Sequence, residues 1–186
     1  MLIDPVPIAN GLGFLALVGY ILTLLPTNMR IVFPQSKQTP MPKWLLKHRR
    51  MIGVASFLLA LWHGYLLVQK RDLDFLNPST FIVYVQGIST FTIFTLLALT
   101  SNDWSVKRLK KNWKRLHNLT YIAMFLLTWH IWDKMADHWS YATPLALVTI
   151  AAVNVLYLWR RWIEHRPKQP LPNDQMRIPP REKVTA

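Results

Sequence analysis

The chain has 186 residues, no cysteine and a formal net charge of +13, from 22 Lys and Arg against 9 Asp and Glu. The missing cysteine excludes disulfides, thiolate metal sites and cysteine-ligated iron–sulfur clusters. The charge alone would suit a nucleic-acid binder, but it is confined to the segments between long uncharged runs, and no base-stacking module accompanies it.

In chain order, the runs without Asp, Glu, Lys or Arg are 5–29, 51–69, 75–102, 116–132 and 138–159, of 25, 19, 28, 17 and 22 residues. Each is near the roughly 20 residues that cross a bilayer as a helix. The first, with Pro5, Pro7 and Pro26 placed at its ends, predicts helix A; it lacks the basic start and small-residue cleavage site of a signal peptide. Helix B is expected from about Lys47 to Gln69 and helix C from about Thr80 to Thr100. Helix D is expected from about Trp113 to Lys134 and helix E from about Tyr141 to Arg161. Residues 1–166 then form one transmembrane helical domain. Residues 167–186, with five prolines, read as a basic, extended cytoplasmic tail.

The connections alternate in charge. Arg30, Lys37, Lys43, Lys47, Arg49 and Arg50 precede helix B with no acid among them. Lys107, Arg108, Lys110, Lys111, Lys114 and Arg115 face only Asp103 before helix D, and the tail from Arg160 has seven bases against three acids. Short basic loops stay cytoplasmic. Five crossings with the N-terminus outside and the C-terminus cytoplasmic put every strongly basic segment on one face. The tryptophans cluster near both expected interfaces, as aromatic belts do.

Two of the six histidines, His63 and His130, lie inside uncharged helices. An ionisable group within a membrane bundle is a functional candidate, and the plainer alternative is a hydrogen bond across helices. His63 follows Arg50 by 13 residues and His130 follows Arg115 by 15, or about 20 and 22 Å of helical rise. Both helices run outward, so the two imidazoles sit at nearly one depth. Facing imidazoles suit bis-histidine haem iron better than zinc or copper, which recruit further ligands. His117 lies 13 residues before His130 and His48 lies 15 before His63, spacings that suit a second haem nearer the cytoplasm. His48, flanked by Lys47, Arg49 and Arg50, reads equally as a solvated residue. His138 and His165 read as surface residues. Arg49, Arg50, Lys114 and Arg115 are placed to meet haem propionates or a docked flavoprotein, or simply to mark the inner face and attract anionic lipid.

Arg49-Arg50-Met51-Ile52-Gly53 with Trp62-His63 and Tyr65, then Leu97-Ala98-Leu99-Thr100-Ser101, then Trp113-Lys114-Arg115-Leu116-His117-Asn118-Leu119 with Tyr121 and His130, resemble the ferric reductase-like transmembrane domain family. These segments span roughly half the chain. The resemblance implies a b-type cytochrome passing electrons across the membrane, with His63, His117 and His130 as haem ligands and one or two haems. The chain departs from the family where Arg50 stands 13 residues before His63, in place of a paired histidine; only His48 offers an imidazole nearby. Larger relatives carry FAD and NAD(P)H domains. This sequence shows no dinucleotide fingerprint and no phosphate-binding Gly-rich loop. The expected donor is therefore a cytoplasmic flavin reductase or a quinol, and the expected acceptor an outer-side redox protein or membrane complex. Bound flavin stays open through some relatives. The competing functions are an accessory or assembly subunit with reduced or lost haem binding, and a ferric reductase.

Overall fold

The computed structural model describes residues 8–70, 78–137 and 142–166, so the tail from 167 and His138 lie outside the described residues. Every regular element among them is helical. In order they are α1 (Ile8–Val32), a short 3-10 turn at Pro34–Gln38, α2 (Pro40–Lys70), α3 (Pro78–Leu99), α4 (Asp103–Leu109), α5 (Lys111–His117), α6 (Leu119–Asp137) and α7 (Ala142–His165). The helices α1, α2 and α7 are long and apolar enough to cross a membrane; a fourth span arises if α3 and α4 count as one bent unit. The chain is a multi-pass membrane protein. Its exterior agrees with this: Leu58, Val148 and Val155 are exposed apolar side chains, as lipid requires. Exposed Trp44, Trp104, Trp159 and Trp162 ring the end where the basic residues gather, and Trp62, Trp129 and Trp132 ring the far end.

Helix boundaries depart from expectation in three places. Pro26 does not end helix A but lies inside α1, fully buried. Membrane helices tolerate this because the bundle can satisfy the backbone group that proline frees. The α2 helix starts at Pro40, where prolines in the first turn cost no hydrogen bond. Helix D is interrupted at Asn118, which divides it into α5 and α6, and α4 precedes it as a further short helix. The chain turns by 96° between α3 and α4. There Asn102 caps α4 by accepting from the Ser105 backbone N–H at 2.7 Å, and Lys107 and Arg108 fall in its last turn. Between α4 and α5, Lys110 adopts φ 47° and ψ −119°, the only non-glycine with positive φ among the described residues. A side chain there costs about 1–3 kcal/mol. Lys110→Gly is expected to raise the unfolding midpoint in detergent, and an unchanged or lower midpoint would count against strain at this joint.

The helices close into a ring. The α2 helix packs against α1, α1 against α7, α7 against α6, α6 against α3, and α3 returns more thinly to α2. No extensive contact joins α2 to α6. The α1–α2 pair is antiparallel and close: a Cβ at Gly19 would run into the Ser56 hydroxyl, so glycine is what lets the two helices touch. The α1 and α7 helices run in parallel, with Arg160 donating to Asn28 at 3.2 Å and to the Tyr121 hydroxyl of α6 at 2.8 Å. The core cluster is Leu17, Tyr20, Ile21 and Leu24 of α1 with Met124 of α6 and Ala146, Ile150 and Val153 of α7.

Candidate functional site

The ring surrounds a half-open cavity of about 560 Å³ in the half remote from the basic residues, with Leu61, Tyr65, Val68 and Ile88 exposed in its lining. Its lining is mainly apolar and contains no Asp, Glu, Lys or Arg. His63 of α2 and His130 of α6 both line it, from two helices with no extensive contact between them. The equal depth expected from their spacing thus becomes a shared chamber. Phe91 and Phe94 of α3 line it on the side toward the basic end, where Phe57 of α2 stacks on Phe91 at 5.6 Å. Asn10, Tyr65, Tyr84 and Thr143 give it a polar rim near the ends of α1, α2, α3 and α7 that lie away from the basic residues.

Each imidazole leans on a glycine. The Nδ1 of His63 lies 2.6 Å from the Ala9 carbonyl, which can only accept, so Nδ1 is the donor. A Cβ on Gly13 would come within 2.9 Å of the His63 ring. Gly87 of α3 lies beneath His130, its virtual Cβ 3.6 Å from Cε1. Thr90, 5% exposed, turns a hydroxyl with no hydrogen-bond partner among the described residues to the same chamber. Among the described residues no three His, Asp or Glu side chains gather as a metal cluster. Two imidazoles beside a mainly apolar volume can instead supply axial bonds to a metal whose other ligands arrive on a flat macrocycle.

The other sequence candidates lie elsewhere. His117, at the end of α5, has Nε2 3.2 Å from the Thr100 hydroxyl and is stacked on Trp113, ring centroids 4.0 Å apart. His48 packs on Trp44 at 4.7 Å. Neither lines the cavity. Arg50 pairs with Asp103 at the head of α4, and Arg115 is exposed. Trp62 and Trp129 are exposed and do not line the chamber, whereas Tyr65 does. Burial foremost, then the Arg49 guanidinium, lowers the His117 pKa; a hydrogen bond with the Thr100 backbone opposes and Arg50 adds to the lowering. In an imidazole NMR titration His117 should protonate below the free-histidine range, and Arg49→Ala should move that midpoint upward. A midpoint at or above the free value would contradict this environment.

Sequence reasoning missed three participants. Tyr20 donates to the Thr120 carbonyl and packs against Phe94 at 4.9 Å, and as an aromatic in an apolar run it gives no signal. Thr90 is equally silent. Gln86, 2% exposed, donates to Asp133, one turn beyond His130, and only the first acid at the end of an apolar run could have hinted at that.

Residues 12–128 match the family described as ferric reductase like transmembrane component. The chain is 33% identical to the protein-methionine-sulfoxide reductase heme-binding subunit MsrQ of Brucella melitensis biotype 2, over 84% of this chain and 69% of that protein. The MsrQ proteins of Brucella ovis and Brucella canis are 32% identical over the same shares. The chain belongs to the ferric reductase-like transmembrane family.

Proposed function

We propose that this member of the ferric reductase-like family is a b-type haem-carrying membrane subunit that moves electrons from a cytoplasmic-side donor to an outer-side acceptor. The observation that carries the reading is the placing of His63 and His130 on one mainly apolar cavity, from helices with no extensive contact between them. Its volume falls within the roughly 300–1,000 Å³ of small-molecule and cofactor sites. Five crossings, by α1, α2, α3, α6 and α7, would put the basic end in the cytoplasm and the cavity toward the outer leaflet.

The residues fit haem. His63 offers one imidazole, with its ring held by the Ala9 carbonyl and Gly13. His130 offers the second imidazole, beside Gly87. The phenylalanines and leucines of the lining make an apolar seat, and the rim of Asn10, Tyr84 and Thr143 suits the polar edge of the macrocycle. Bound there, haem would supply one-electron redox chemistry, and the protein supplies ligands, orientation and low dielectric. The resemblance to MsrQ supports a methionine-sulfoxide reductase as the outer-side acceptor, and a flavin reductase or quinol as donor. The basic cytoplasmic face, with Lys107, Arg108, Lys111 and Lys114, would steer an acidic donor protein.

Purification in mild detergent with haem quantification and reduced-minus-oxidised spectra tests the reading. A b-type spectrum is expected. Protein made with ample haem supply yet free of it would overturn the proposal and favour an accessory subunit that has kept the fold.

A further inference from the structure

We infer that this chain holds a single haem, at His63 and His130, and that the half of the bundle next to its basic end is closed by its own side chains. The inference rests on the haem reading proposed above. It departs from the pattern of two haems stacked across the membrane.

Each histidine of the basic half is held by a neighbour. A ligating imidazole needs a lone pair directed into open space. The Nε2 of His117 lies at hydrogen-bond distance from the Thr100 hydroxyl, so only Nδ1 would be left to ligate. One ring face of His117 is covered by Trp113, which is itself tied to the Thr100 carbonyl through Nε1 at 2.9 Å. His48 rests on Trp44, one turn earlier on its own helix. Arg50 is drawn sideways to Asp103.

The space is committed as well. Tyr20, 5% exposed, reaches from α1 to the Thr120 carbonyl, one turn beyond His117, and its ring packs on Phe94 of α3. Met124, on the next turn of α6, is fully buried. Gly19, beside Tyr20, is locked against Ser56 of α2. At this level α1 thus touches α2, α3 and α6 at once. A macrocycle could enter only by displacing Tyr20 and Phe94 from a close-packed interior. The far half differs: there the helices stand apart around a chamber.

The test is haem stoichiometry of the full chain in detergent, with haem added in excess and monodispersity checked by gel filtration. One haem per chain with one midpoint potential is expected, unchanged in His48→Ala and in His117→Gln, and near zero in His63→Ala. Two haems per chain, two resolved potentials, or a halved content in either basic-end variant would overturn the inference while leaving the haem reading standing. No haem in the unaltered protein would overturn both. The stoichiometry of the unaltered chain decides the matter even if a variant misfolds.

Discussion

Replacing His130 with alanine is expected to strip haem from the purified protein, and His63→Ala should do the same. Each side chain is one of two imidazoles on the chamber, and no other His, Lys or carboxylate lines it to substitute. Loss of a mere orienting partner weakens metal binding about 10- to 100-fold, and loss of a ligand should exceed that. The readout is the pyridine haemochrome content with the oxidised Soret band. Methionine separates lost ligation from lost folding. It fills similar volume and can bind haem iron, so His130→Met should retain haem with a raised midpoint potential. Full haem content in His130→Ala would remove that residue from the ligand set.

Gly13→Val should produce the second-largest effect, without touching a ligand. A Cβ at this position would lie 2.9 Å from two atoms of the His63 ring, closer than real contacts allow. The ring must move, and it then loses the 2.6 Å hydrogen bond from Nδ1 to the Ala9 carbonyl. That bond fixes the tautomer and makes the imidazole a better donor. Haem retention should fall about 10- to 100-fold against a haem scavenger. The midpoint potential should rise, because a poorer donor stabilises the oxidised state less. Gly11 is the control: nothing lies within 4 Å of its virtual Cβ. If Gly13→Val and Gly11→Val behave alike, the orienting role of this contact is wrong.

Much of the architecture was readable before any coordinates. The charge-free runs mark the long helices, because lipid excludes unpaired charge. The matched depths of His63 and His130 anticipate their meeting, because helical rise is fixed. What escaped notice depends on lateral packing, which rise does not determine. Nothing in the run around Tyr20 says that its ring crosses to α3 and α6. Arg160 looked like the first base of a tail, yet its guanidinium turns inward to Asn28 and Tyr121. Only its i,i+4 partner Glu164 could be anticipated from spacing. Pro26 misled in the opposite sense, since in water it would end a helix that the bundle here continues. Spacing also could not foretell that His48 and His117 lie off the cavity, beside Trp44 and Trp113.

The gap between α2 and α6 also bears on how the molecule is made. Synthesis delivers the N-terminal part first. The α1–α2 hairpin, joined by its close glycine contact, can therefore assemble while the rest of the chain is still on the ribosome. That hairpin brings His63 alone. The second imidazole arrives only with α6, some 60 residues later, and α7 then completes the ring. On the haem reading proposed above, cofactor capture is a late event in biogenesis: nascent chains halted after α3 should emerge haem-free, however abundant the supply.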